Sequence, residues 1–161
     1  MDEMHKGFLR RLARSHEGVW HVARWIWDMK DNDVVITARR EAPDREHYKD
    51  FVDSGDLYVN GDRHEVKWLT SSFTGIDDWP AQWNRKFIVC RKQSFDQGLP
   101  VPKSIIVLSA DKKAVGVVNV KETREKWYVK ETTALQHEYY YCPIERVVFR
   151  STARKKAEWE E

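Results

Sequence analysis

The chain of 161 residues has no long hydrophobic run. A transmembrane helix needs roughly 18 or more consecutive apolar residues, and no segment reaches that length. Charged side chains also interrupt residues 1–16 too often for the apolar segment of a signal peptide. We therefore expect a soluble protein that stays in the cytoplasm and has no membrane partner.

Cysteine is scarce, and several common motifs are missing. Cys90 and Cys142 are the only cysteines, and neither belongs to a CxxC motif or a Cys/His cluster. A disulfide framework and a zinc site are therefore not expected, and reduced thiols are favoured. The sequence also lacks GxxxxGK[ST], GxSxG and HExxH, so nothing supports a P-loop NTPase, an α/β-hydrolase or a zincin, and no nucleotide cofactor is expected.

Apolar and aromatic residues are plentiful, and charge is unevenly distributed. The hydrophobic fraction is 41% and includes 8 Trp, which is enough for a folded core despite 34% charged residues. The length predicts one domain over residues 1–150, followed by a polar tail over 151–161. Acidic side chains outnumber basic ones between residues 31 and 66, and the reverse holds for 67–130. A metal enzyme that acts on a polyanion needs both an acidic pocket and a basic surface.

Hydrophobic periodicity and turn signals predict an α/β domain. Apolar residues at helical spacing indicate a helix from Met4 to about Lys30, which Gly18 could divide into two. A short helical stretch is predicted to end near Val52, a loop covers 70–78, and a further helix runs from about Trp79 to Phe87. Segment 88–90 is either a strand or the end of that helix. The predicted strands are 34–37, 57–59, 64–69, 104–108, 114–120, 127–132, 138–141 and 147–149.

The most informative segment is a predicted β-hairpin around Asn60-Gly61, a strong signal for a two-residue turn. With this turn, Asp56 lies opposite Glu65. Because side chains alternate across a strand, Lys67 shares the face of these two carboxylates. The opposite face is apolar and carries Leu57, Val59, Val66 and Trp68. His64 also falls on that face, which favours a hydrogen-bonded core or edge histidine over a catalytic base.

Opposed carboxylates on neighbouring strands repel each other unless a cation compensates them. Oxygen ligands without Cys or His favour Mg²⁺ or Mn²⁺ as that cation. The pattern therefore predicts Asp56 and Glu65 as metal ligands at a catalytic site, with Lys67 orienting an attacking water or stabilising charge on a phosphate. The alternative is an exposed hairpin on which Asp56, Arg63, Glu65 and Lys67 form surface ion pairs.

The segment SGD(56)LYVNGDRHE(65)VK(67) resembles the D…(D/E)xK signature of the PD-(D/E)xK nucleases. The resemblance implies a restriction-endonuclease-like core, a mixed β-sheet flanked by helices in which a β-hairpin bears the active site, here with extra C-terminal strands. It also implies that the backbone carbonyl of Val66 is a metal ligand. An additional acidic ligand from the first helix is common in the family, and Glu17 is the candidate, with Glu41 and Glu46 as alternatives.

By this resemblance we expect a Mg²⁺- or Mn²⁺-dependent endonuclease that hydrolyses phosphodiester bonds in DNA. Small members are often homodimers and are frequent in phages and mobile elements. The alternatives are a noncatalytic module of the same fold that binds nucleic acid or protein, and a ribonuclease. Candidate nucleic-acid contacts, each of which could instead be an ordinary solvated residue, are Arg10, Arg11, Arg14, Ser71, Ser72, Arg85 and Lys86.

Overall fold

The computed structural model describes residues 3–29, 31–38, 43–44, 46, 56–132 and 137–153. The predicted helical stretch ending near Val52 and the tail beyond Ala153 lie outside the described residues. The helices are α1 (Glu3–Asp28), α2 (Lys92–Gln97) and α3 (Val120–Thr123). The strands are β1 (Val34–Ile36), β2 (Leu57–Val59), β3 (Asp62–Trp68), β4 (Lys86–Arg91), β5 (Ser104–Leu108), β6 (Ala114–Asn119), β7 (Tyr128–Thr132), β8 (His137–Pro143) and β9 (Val148–Ser151).

These strands form two sheets, and the predicted α/β class with a mixed sheet is confirmed. The larger sheet has six strands in the order β1-β2-β3-β5-β6-β9, and the smaller has three in the order β4-β8-β7. Strands β3 and β5 are parallel, and the other registered pairs are antiparallel. The chain leaves the larger sheet after β3, forms β4 and α2, and returns to it as β5.

The first helix is continuous, so Gly18 does not divide it into two. Its buried stripe of Val19, Val22, Ala23 and Ile26 packs on one face of the larger sheet. Gly18 is buried in the same contact, where an added Cβ atom would lie 2.9 Å from the Cβ of Trp68. The glycine therefore allows the helix to approach β3 closely.

The β2–β3 hairpin has the predicted register, with Val59 opposite Asp62 and Leu57 opposite His64. Asn60 and Gly61 both have positive φ values, 51° and 86°, as a tight turn of the type I′ class requires. The His64 Nδ1 atom lies 2.5 Å from the Ser104 hydroxyl oxygen, so this histidine is hydrogen-bonded. Burial is the main cause that lowers its pKa.

The predicted helix from Trp79 to Phe87 is wrong. The segment contains a single 3₁₀ turn at Ala81–Trp83, followed by β4. Asn84 and Arg85 between them have φ values of 44° and 57°, a left-handed backbone that ends a helix. Phe87 and Val89 are buried and Ile88 between them is exposed, which is the alternating burial of a strand and not of a helix.

The strands predicted after residue 100 are present, β5 with the predicted bounds and the others with boundaries shifted by one or two residues. β6 ends at Asn119, whose side-chain oxygen accepts a hydrogen bond from the Glu122 N–H at 3.1 Å and caps α3. Of the C-terminal strands, β9 extends the larger sheet and pairs with β6, whereas β7 and β8 join β4. In the part of the chain that the structure describes, no helix is long and apolar enough to cross a membrane.

Candidate active site

The two faces of β3 lie against different layers of the molecule. Val66 and Trp68 belong to the apolar cluster that packs against α1. Glu65 and Lys67 alternate with them and face the other way, beside Ile105 and Val107 of β5. Ile105 and Val107 pack against the smaller sheet, so the charged pair lies on the face of the larger sheet that the smaller sheet covers.

Asp56 lies immediately before β2, one step beyond the registered pair Leu57 and His64, and so opposite Glu65. Its Oδ2 atom accepts a hydrogen bond from the Val66 N–H at 2.7 Å. Its backbone carbonyl accepts one from the Thr37 N–H at 3.2 Å, which links the residue to the end of β1. The Asp56 carboxylate is therefore held beside β3 at the point where β2 begins.

The Val66 N–H bond also indicates the direction of the Val66 carbonyl. The N–H and C=O groups of one strand residue point to the same side of the strand. Because the Val66 N–H points towards Asp56, we expect its carbonyl to point into the same space, away from β5. A carbonyl in this position is consistent with the predicted backbone ligand.

Glu65 forms an ion pair with Arg63, its neighbour on the same face of β3. The Arg63 Nε–H donates to Glu65 Oε1 at 2.7 Å, and an η-nitrogen of Arg63 contacts the same oxygen. The other η-nitrogen donates to the Pro100 carbonyl at 3.1 Å. The Arg63 side chain is only 12% exposed, so this pair is shielded more than an ordinary surface ion pair.

Lys67 is half-buried, and burial is the main cause that lowers the pKa of its ammonium group. Cys90, Glu65 and Asp56 act in the opposite direction. Burial raises the pKa of the Cys90 thiol to about 11, so that thiol is neutral near pH 7. The two carboxylates are therefore the charges that offset the burial of Lys67, and both act on it electrostatically.

A further group of polar side chains lies beside Cys90, at the smaller sheet and α2. Sequence patterns did not indicate it. Tyr140 lies opposite Cys90 in the β4–β8 register, and its hydroxyl donates to Asp96 Oδ1 at 2.8 Å. Arg124 donates to the same hydroxyl at 3.2 Å, and its guanidinium lies 4.5 Å from the Tyr140 ring centroid. These residues come from three separate elements, so no sequence spacing could have revealed them.

Glu17, the predicted additional ligand, is not brought together with Asp56 and Glu65. It lies on α1, on the opposite side of the larger sheet, and forms an ion pair with Lys112 at 2.5 Å. Of the two alternatives, Glu41 lies outside the described residues. Glu46 is exposed, and its N–H bonds to Asp44 at 2.9 Å.

The predicted nucleic-acid contacts are spread over several places. Arg14 turns inwards and donates to the Trp68 and Leu69 carbonyls, both at 2.9 Å, so it fastens α1 to the end of β3. Arg10, Arg11 and Ser72 are exposed, and Lys86 is half-buried in β4. The half-buried Ser71 accepts a hydrogen bond from Gln82. Arg85 forms an ion pair with Glu145.

Asp56 and Glu65 are oxygen donors, the chemical kind that a hard divalent cation takes. Mg²⁺ commonly takes one or two carboxylates and completes its shell with water and phosphate oxygens. Asp56, Glu65 and the Val66 carbonyl supply that kind of set. Among the residues that the structure describes, no group of three or more His, Cys, Asp and Glu side chains is arranged to hold a metal ion. A metal here would therefore depend on water and substrate for its other ligands.

Comparison with known proteins does not place the chain in a family. No protein-family model matches it, and no curated protein or solved structure matches it either.

Proposed function

We propose that this protein is a metal-dependent nuclease of the PD-(D/E)xK kind that hydrolyses phosphodiester bonds in DNA, as an endonuclease. The observation that carries the proposal is the convergence of Asp56, Glu65 and Lys67 on one face of the β2–β3 hairpin. The carboxylates lie opposite each other, and both act electrostatically on the lysine. An isolated ExK triplet would not supply this arrangement.

The order of the elements supports the same proposal. α1 precedes an antiparallel series of β1, β2 and β3, and β5 then returns parallel to β3 after a connection that contains α2. A helix, a mixed sheet and a helix-containing return to a parallel strand are the features that the resemblance implies. The connection here also contains β4, which joins the smaller sheet.

In this proposal Asp56, Glu65 and the Val66 carbonyl hold one Mg²⁺ or Mn²⁺ ion. When bound, the ion acts as a Lewis acid for the scissile phosphate and acidifies a water ligand. Lys67 donates hydrogen bonds to the attacking water or to the phosphate oxygens, where negative charge increases in the transition state.

The proposal is tested by DNA cleavage in Mn²⁺ or Mg²⁺ with single-stranded, double-stranded and branched substrates. Asp56→Ala and Glu65→Ala should each abolish cleavage while the protein stays folded. The matched control is Asp62→Ala on the same hairpin, because Asp62 pairs with Lys103 at 3.0 Å and its side chain is 50% exposed. Cleavage by the folded Glu65→Ala protein at the wild-type rate would contradict the proposal.

The Arg63–Glu65 ion pair favours a second candidate, a noncatalytic module that binds DNA or protein through the same surface. In that case Arg63 would be the permanent partner of Glu65, and no cation would be needed. Calorimetry with Mn²⁺ separates the candidates, since the module should bind DNA or protein without binding the ion. Cleavage of RNA but not DNA in the same assay would instead identify a ribonuclease.

A further inference from the structure

The proposed mechanism gives no role to Arg63, whose side chain contacts the proposed metal ligand Glu65. Both contacts from Arg63 to Glu65 end on the same oxygen, Oε1. The guanidinium is also anchored from another side by the Pro100 carbonyl at 3.1 Å. Arg63 therefore holds a positive charge against Glu65 from within the site.

A divalent cation that binds Glu65 through Oε1 competes with this guanidinium. An oxygen that accepts two N–H groups has little lone-pair capacity left for a metal. A guanidinium at that oxygen would also lie within a few ångströms of the metal, where like charges repel strongly in a shielded site. Binding of an ion at Glu65 Oε1 therefore requires Arg63 to leave that oxygen.

A phosphodiester is the ligand best suited to receive the displaced side chain. The guanidinium presents its N–H groups as a planar fork that matches phosphate oxygens, and it stays charged at any ordinary pH. Arg63 also faces the same side of β3 as Lys67, where the proposed mechanism places the scissile phosphate. A phosphate that attracts Arg63 would free Glu65 for the ion.

We propose that Arg63 is an internal counter-ion that competes with the divalent metal for Glu65 and moves to the substrate phosphate. This assignment rests on the proposed nuclease function and adds its regulation. Metal binding and DNA binding then strengthen each other. The metal displaces Arg63 from Glu65 and makes it available to a phosphate, and a phosphate that holds Arg63 leaves Glu65 to the metal. The coupling should be positive and reciprocal, as linkage requires.

The test is a Mn²⁺ titration by calorimetry of wild type, Arg63→Gln and Arg63→Lys, with Arg85→Gln as the control. Arg85 also pairs with a glutamate, Glu145, but on an exposed surface. Arg63→Gln should bind Mn²⁺ roughly five-fold or more tightly than wild type, the lower end of ordinary coupling. Arg63→Lys should fall between them because it keeps the charge and loses the fork, and Arg85→Gln should match wild type.

A second measurement repeats the titration with a DNA oligonucleotide present, in the cleavage-deficient Lys67→Ala background. DNA should tighten Mn²⁺ binding when Arg63 is present and have a markedly smaller effect in Arg63→Gln. A circular-dichroism melt checks that each variant is folded. If Arg63→Gln is unfolded, Arg63→Lys replaces it in the comparison with wild type.

The outcomes separate the two proposals. Mn²⁺ binding to Arg63→Gln but not detectably to wild type would support the counter-ion role in its strongest form. Mn²⁺ binding to wild type with equal or weaker binding to both Arg63 variants would overturn the counter-ion role and leave the nuclease proposal standing. Absence of Mn²⁺ binding in every folded variant would overturn both.

Discussion

The two faces of the larger sheet are covered by different layers. On one face α1 presents an apolar stripe to Val66 and Trp68, and the contact is a conventional hydrophobic one. On the other face the smaller sheet covers an apolar centre, beside which β3 contributes Arg63, Glu65 and Lys67. The first face is built for stability, whereas the second places charges in a partly desolvated position where they cost stability.

The sharpest test of this difference is Lys67→Met, which removes the charge but keeps the length of the side chain. By the proposed function, cleavage should fall by roughly 10³-fold or more, the usual contribution of a positioned acid–base or electrostatic group. The unfolding free energy should change by less than about 1 kcal/mol, because relief of the Lys67 desolvation opposes the loss of its attraction to Glu65 and Asp56. Cleavage assays and chemical denaturation measure the two effects.

Lys103→Met is the control for this substitution, since Lys103 lies immediately before β5 and is 60% exposed. It should leave cleavage near the wild-type rate. A fall of more than about 2 kcal/mol in the stability of Lys67→Met would show that the lysine is a structural residue, which contradicts the assignment.

The apolar centre on the site face should behave as an ordinary core. Phe87 is fully buried between the sheets, and its ring lies 5.0 Å from that of Trp79. Phe87→Ala should lower the unfolding free energy by about 3 kcal/mol through lost burial and a residual cavity. Ile88→Ala, at the exposed neighbouring position, should cost under about 1 kcal/mol in the same denaturation experiment. Equal losses at both positions would show that the layers are not packed as described.

The α1 face can be perturbed by overpacking. Gly18→Ala would place a methyl group 2.9 Å from the Trp68 Cβ, in a contact that a side-chain rotation cannot relieve. We expect a net loss of about 1 kcal/mol after the better helix propensity of alanine is included. In the same helix Gly7→Ala would meet only the Arg11 guanidinium at 3.6 Å and should be stabilising. A thermal melt of both variants tests this, and stabilisation by both would refute the close approach.

The smallest expected effect lies in the turn that leads from β3 to the smaller sheet. The Asp78 carboxylate accepts hydrogen bonds from the Thr74 and Gly75 N–H groups, all at 2.9 Å, and these bonds lower its pKa. Asp78→Ala should cost about 0.5 kcal/mol near pH 7, a small value because the group is exposed.

The sign of the pH dependence follows from the lowered pKa. The carboxylate form stabilises the folded state above the ordinary aspartate pKa, and that contribution disappears as the pH falls through the lowered pKa. The difference between wild type and Asp78→Ala should therefore shrink towards acid pH in denaturation measured from pH 7 downwards. Asp77→Ala, at the exposed neighbour, is the control, and a difference that grows on acidification would contradict the assignment.

Local patterns predicted the hairpin and the strands that follow it. Asn60-Gly61 fixed the register, and the register placed Asp56, Glu65 and Lys67 on one face, because alternation in a strand is a local property. The helix predicted over 79–87 failed because the left-handed residues Asn84 and Arg85 and the burial of Phe87 outweigh the capping pattern. Glu17 was expected near the site from family resemblance, but its position depends on which side of the sheet α1 covers.

The sequence by itself determined the α/β class, the α1 helix, the hairpin register and the pairing of opposed carboxylates with a lysine. These follow from periodicity and turn chemistry within a few residues, where the backbone leaves little choice. Only the tertiary structure decided that β4, β7 and β8 form a separate sheet over the site, that Lys67 is partly desolvated beside Cys90, and that Arg63 reaches Pro100. Those features depend on contacts between distant segments, whose free energies come from packing of the whole fold and not from local sequence.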